Sequence, residues 1–183
     1  MNARSVRGES ASTAGSGLRR LAYRLFYALP GPARRRLVRT VMARYTVGAV
    51  ALVRDRGVPE QLLLLRQPAA PGWSLPAGLL KRGEQPLDGC VRELAEETGV
   101  RLSPADLTPA APNAVVHTRG RWVDFVFEAT VQADRITLAV DGGEVLEARF
   151  HPLDNLPPLT VATARLLSAY GIGPYAGYPE IRA

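Results

Sequence analysis

The period of the apolar positions changes several times along the chain, and each change predicts an element. Residues 1–17 are Ser, Ala, Gly and Arg with few apolar side chains, so disorder is expected there. Leu18, Leu21, Leu25 and Leu29 then recur at helical spacing beside Arg19, Arg20 and Arg24. Pro30-Gly31-Pro32 breaks that helix. A second helix is expected over 33–44, with Leu37, Val38, Val41 and Met42 apolar among five arginines. From Tyr45 the pattern turns β-rich, and Tyr45–Arg54 and Gln61–Arg66 read as strands. Residues 86–98 return to helical spacing, with Leu87, Val91, Leu94 and Thr98 on one face. Pro86 suits the first turn of this helix, Asp88 complements its positive end, and Gly99 suits the left-handed residue that stops it. Residues 113–118 and 121–131 predict a hairpin, Asp141-Gly142-Gly143 a turn into a strand through Phe150, and Leu159–Tyr170 a closing helix. Strands alternating with helices give an α/β or α+β sandwich with a mixed sheet over 45–170. A basic helical hairpin over 18–44 precedes it, and a Gly/Pro/Tyr-rich tail over 171–183 follows.

Composition changes this picture in two ways. The net charge is +6, but residues 1–44 hold ten arginines and one acid, Glu9, so the rest of the chain carries −3. The basic character therefore belongs to the N-terminal extension, which argues against a nucleic-acid function for the body. For the hairpin over 18–44 the open roles are packing on its own domain or a dimer partner, lying on an anionic membrane surface, and nucleic-acid binding or targeting. The single cysteine, Cys90, excludes an internal disulfide and suits a reducing compartment, the cytoplasm, with peripheral membrane attachment as the alternative. It reads as a packing residue. No run of about 20 apolar residues is present to span a bilayer.

The chemistry is concentrated in Gly78–Val100, GLLKRGEQPLDGCVRELAEETGV. Glu93, Glu96 and Glu97 are spaced i, i+3 and i, i+4, so their carboxylates are neighbours on one helix face. Repulsion on an exposed helix costs only about 0.2–0.5 kcal/mol per pair, so a solvated acidic face stays open as a reading. The alternative is a hard divalent cation, since Mg²⁺ takes a few carboxylates together with water and phosphate oxygens. Arg92 is placed to orient Glu93, and the loop Gly78–Gly83 allows a main-chain carbonyl to approach.

As a pattern this stretch is G-x5-E-x7-R-E-U-x-E-E-x-G-U, where U is a bulky aliphatic. It resembles the box of the Nudix hydrolases at every defining position, and Trp73-Ser74-Leu75-Pro76 resembles the family's lead-in. Ala77 departs from the second glycine that many members carry before the box. The resemblance covers roughly 45–170 and implies an α/β/α sandwich. It also implies Mg²⁺- or Mn²⁺-dependent hydrolysis of a nucleoside diphosphate linked to another group. It makes Glu93, Glu96 and Glu97, with Gly78, the metal site, Glu93 or another carboxylate the activator of water, and Arg92 and Glu84 supporting residues. A further family glutamate outside the box aligns first with Glu144 and second with Glu147. Arg66, Arg82 and Arg119 are candidate phosphate contacts. A nucleotide-sensing domain without catalysis and a membrane-recruited enzyme are the competing readings. No downstream element marks a particular nucleotide.

Overall fold

The computed structural model describes residues 13–57, 59–68, 70–118 and 120–177. They belong to two compact units, Met1–Arg44 and Tyr45–Ala183.

The first unit has two helices, α1 (Thr13–Ala28) and α2 (Gly31–Val41). Helix α1 begins five residues before Leu18, so residues 13–17 are helical rather than disordered, while residues 1–12 lie outside the described residues. Once the leucine stripe has nucleated the helix, each added residue gains a hydrogen bond, and the turn propagates back through Gly17. Helix α2 starts at Gly31, not Ala33, because Pro32 fits the first turn, where no N–H is needed. It stops at Val41 rather than Arg44. Met42 is extended (φ −82°, ψ 144°), and the Arg44 guanidinium folds back to donate to the Arg39 carbonyl at 2.9 and 3.2 Å.

The second unit is built on a seven-stranded mixed sheet. Its strands are β1 (Thr46–Asp55), β2 (Gln61–Arg66), β3 (Trp73–Ser74), β4 (Ala77–Leu79), β5 (Thr108–His117), β6 (Trp122–Val131) and β7 (Glu147–Pro152). The main path runs β3-β2-β1-β6-β5, with β4 also on β1 and β7 also on β2. Only β1 and β6 run parallel among these pairs, in register from Thr46↔Trp122 to Asp55↔Val131. Helix α3 (Pro86–Thr98) covers one face and α4 (Val161–Ser168) the other. This is the expected α/β/α sandwich with a mixed sheet.

Strand β1 shows how one sequence serves two cores. Ala49, Ala51 and Val53 pack with Leu63, Cys90 and Leu94 on the α3 side. Val50 and Leu52 pack with Leu62, Leu64, Leu166 and Leu167 on the α4 side. A strand buried on both faces reads as a continuous apolar run, as β1 and β2 do. The closing helix is shorter than expected. Thr160 caps it by accepting from the Thr163 N–H at 3.2 Å, so Leu159 and Thr160 stay outside.

Strands β1 and β2 pair only at Arg54↔Leu62 and Asp55↔Gln61. Beyond that they part. Strand β4 occupies the β1 edge at Gly48–Val50, and β3 takes the end of β2 at Leu65 and Arg66. The segment from Trp73 to Leu79 is thereby wedged into the opened sheet, directly before α3.

Candidate active site

Helix α3 holds the residues expected of it, from Pro86 to a Gly99 cap at φ 75°. Its end is closed locally: Thr98 Oγ1 donates to the Leu94 carbonyl at 2.6 Å and accepts from the Val100 N–H at 3.1 Å. Leu94 and Cys90 anchor the buried side, and Glu93 and Glu97 lie on the adjoining flank, where α3 meets β4. Burial pushes the Cys90 thiol up to about 12, which suits packing and not nucleophilic chemistry.

Strand β4 passes so close to α3 that Gly78 has no room for a side chain. A Cβ there would lie 1.9 Å from the carboxyl carbon of Glu93 and 2.0–2.5 Å from its oxygens. One residue earlier, the Ala77 N–H donates to Glu97 Oε2 at 2.9 Å, and the Gln67 amide reaches Glu97 Oε1 at 3.3 Å. The glutamates of the helix are thus drawn against the backbone of β4.

Arg92 organises the other side. Its Nε and Nη2 donate to the two Glu84 oxygens at 2.7 and 2.9 Å, a bidentate pair. Its Nη1 donates to Glu93 at 2.6 Å and to Glu96 at 3.1 Å, and Nη2 also reaches the Leu79 carbonyl at 3.2 Å. The Lys81 ammonium stands 3.7 Å from Glu96. The arginine beside Glu84, with the Lys81 N–H, holds that carboxyl down at about 2. Glu97 moves the opposite way. Burial lifts it to about 7, repulsion from Glu93, Glu144 and Glu96 adds to the lift, and the Ala77 N–H works against it.

Glu144 is one of the carboxylates whose charge raises Glu97. Asp141 Oδ1 accepts from the N–H groups of Gly143, Glu144 and Val145 at 3.0, 3.2 and 3.3 Å, so Glu144 sits on a pinned turn. Glu147 is differently employed. It lies across from Arg66 in the β2–β7 register and is held by Arg66 at 3.4 Å and Arg149 at 3.2 Å. That cross-strand ion pair also engages the head of Arg66, which the sequence offered as a phosphate contact. Arg82 is exposed in the turn before Gly83, and Arg119 lies outside the described residues.

The carboxylates do not form a finished cage. Among the described residues no three acid, His or Cys side chains converge closely enough to hold an ion. Arg92 Nη1 bridges Glu93 and Glu96 and takes up one oxygen of each. The donor set still fits a hard divalent cation. It is all oxygen, Glu97 is buried with three other carboxylates pressing on it, and Gly78 leaves the space a Cβ would fill beside Glu93.

Beside this cluster lies a cleft of about 460 Å³, bordered by Thr46, Gly48, Gly78, Leu79, Trp122 and Asp124. Asp124 Oδ2 accepts from Trp122 Nε1 at 3.1 Å and lies 3.0 Å from His117 Nε2. Its Oδ1 is packed over Gly48, where a Cβ would come within 2.7 Å. The His117 and Trp122 rings stack at 4.5 Å. Along the sequence His117 is an isolated histidine and Asp124 an isolated acid. The available signal was a single acid inside the apolar strand Trp122–Phe127. Gln67, Lys81 and Asp141 were also missed, because each acts on a residue distant along the chain or through its turn.

A family model described as the NUDIX domain matches residues 42–170. A MutT-like protein of Streptomyces ambofaciens is 39% identical over 72 residues, 39% of this chain and 43% of that protein. A Bacillus subtilis (strain 168) protein, provisionally named an 8-oxo-dGTP diphosphatase, is 40% identical over 55 residues, 30% of this chain and 36% of that one. The chain thus spans less than half the length of these curated relatives. The crystal structure of a MutT NUDIX hydrolase from Burkholderia pseudomallei aligns with a TM-score of 0.54 at 28% identity, over 66% of this chain and 93% of that one. With the domain match covering most of the sequence and the box folded as one strand–loop–helix unit, the chain belongs to the Nudix family.

Proposed function

We propose that this protein hydrolyses a phosphoanhydride bond in a nucleoside diphosphate linked to another group, in the cytoplasm and with Mg²⁺ or Mn²⁺. The observation that carries this reading is the seating of Glu93 under Gly78 and of Glu97 on the Ala77 N–H, with Glu96 and Glu144 close enough to press on Glu97. Glu93, Glu96 and Glu97, with the Gly78 backbone, would hold the cation. When bound, it neutralises phosphate oxygens and makes water easier to deprotonate. Arg92 fixes the direction of Glu93 and ties it through Glu84 to the loop. Glu144 accepts the proton of the attacking water, because Glu93 is committed to Arg92 and Glu97 to β4. The water oxygen bonds to phosphorus, the anhydride oxygen leaves on the other phosphate, and Arg82 stands at the loop to offset its charge. The organic part of the substrate lies in the adjoining cleft, with Asp124 as its hydrogen-bond acceptor. The intact set of box carboxylates disfavours a sensor without catalysis.

The test is hydrolysis of a panel of nucleotide derivatives with Mg²⁺ and with Mn²⁺, for the parent and for Glu97→Gln, with the phosphomonoester or pyrophosphate products converted to phosphate by added phosphatase or inorganic pyrophosphatase. The parent should turn over at least one substrate, and Glu97→Gln should lower kcat by about 10²-fold or more while melting normally. Equal turnover by the two proteins would remove the metal assignment. No turnover of any substrate, with tight nucleotide binding, would favour the sensor.

A further inference from the structure

We infer that the unit formed by α1 and α2 is a docking surface for an anionic lipid bilayer, independent of the hydrolytic reading. Residues 13–44 contain eight arginines and no acid. Their large apolar side chains are turned outward. Leu18, Leu21 and Leu25, at helical spacing along α1, are 71%, 54% and 62% exposed, and Val41 on α2 is 70% exposed. No residue of α2 is buried. A solvent-facing helix would carry polar groups at these positions, and a helix packed into a core would have them covered. An apolar stripe bordered by arginines matches the boundary between acyl chains and headgroups, where leucines enter and guanidinium groups reach phosphate.

The turn at Pro30 brings the two helices into one such surface. The Arg34 guanidinium lies 5.4 Å from the Tyr27 ring centre and 5.8 Å from that of Phe26. Around this contact is a shallow groove of about 460 Å³, with Phe26, Tyr27 and Val38 as its apolar wall and Arg34, Arg35 and Arg39 at its rim. An aromatic wall under the Arg34 guanidinium, with Arg35 and Arg39 at the rim, suits a lipid phosphate whose glycerol and chain lie on the rings. Tyr23 and Tyr27, stacked at 6.4 Å, add the amphipathic aromatics that favour the interface. The unit lies on the membrane and does not cross it. Helix α1 has 16 residues, and no helix among the described residues is long and apolar enough to span a bilayer.

Charge complementarity selects the occupant. A second copy of this surface would bring eight further arginines against the first eight, whereas an anionic bilayer offers a continuous sheet of phosphate. The test is co-sedimentation of the full chain with vesicles of phosphatidylcholine alone and of phosphatidylcholine with about one third phosphatidylglycerol. The bound fraction should be about ten-fold higher on the anionic vesicles and should fall in about 0.5 M salt. The paired substitution Leu21→Asp with Leu25→Asp, and separately Arg35→Glu with Arg39→Glu, should each abolish binding. The second pair lies on an exposed face and keeps the test meaningful if the first disturbs the helix. Nucleotide hydrolysis in solution, read by the same coupled assay, should be unchanged in both. Failure to bind anionic vesicles, or equal binding to neutral ones, overturns the inference. So does a concentration-dependent dimer that Leu21→Asp with Leu25→Asp dissociates without any vesicle binding.

Discussion

At the scale of single residues, the site depends on a missing side chain as much as on its acids. A methyl at Gly78 would overlap the Glu93 carboxylate, which is the far end of a flexible side chain and can swing away. Gly78→Ala should therefore fold, yet lose about 10²-fold in kcat, because a displacement near 1 Å at a positioned group costs that much. Gly83 gives the contrast. Its φ is +82° and a Cβ there would meet nothing within 4 Å, so Gly83→Ala should cost about 1 kcal/mol of stability through backbone strain and leave the site chemistry intact. Melting curves and kcat, measured together on the two variants, separate these effects. Both glycines stood out in the sequence, but the reason for Gly78 did not, because Glu93 reaches it across a loop. Asp124 was harder still. Its partners Trp122 and His117 come together only when β5 and β6 pair, and an isolated aspartate carries no sign of that.

At the scale of elements, α3 was readable almost residue by residue because its signals are local: a proline start, an apolar stripe and a glycine stop. Elements that depend on tertiary contact were less so. Strand β5 begins at Thr108 rather than Asn113, since its first residues pair with Glu128 and Phe127 across a bulge that no local pattern announces. The link from loop to helix is likewise a contact, the bidentate Arg92–Glu84 pair, and it has a pH signature. Glu84 is held at about 2 in the fold against 4.5 for the free side chain. A carboxylate with a lowered folded pKa stabilises the fold above its unfolded value, and that contribution fades as pH falls from about 4.5 toward 2. Urea midpoints of the metal-free protein should drop through this window. Glu84→Gln should flatten the drop while lowering the midpoint at pH 7. Parallel curves for the two proteins would show that the pair does not tie the loop to the helix.

At the scale of the whole second unit, the sheet acts as a shared wall with a separate core on each face. The sequence indicated a sandwich from its alternation of strands and helices, but not the parting of β1 from β2 that admits β3 and β4, since that depends on which edges pair. The run Leu62–Leu65 gave no hint of facing, as all four positions are leucine and all four are fully buried. In the fold they alternate: Leu63 packs beneath α3 with Cys90 and Leu94, and Leu64 packs on the opposite side with Leu166 and Leu167. Leucine-to-alanine truncation at either should cost about 2–5 kcal/mol, because both leave cavities in dense core. Their functional effects should differ. Leu63→Ala loosens the support of the helix that carries Glu93 and Glu97, so kcat per folded molecule should fall. Leu64→Ala should leave kcat near the parent value once the folded fraction is accounted for. Denaturant melts with activity normalised to folded protein would decide this, and an equal loss of kcat in both variants would mean that the sheet transmits core damage to the site from either face.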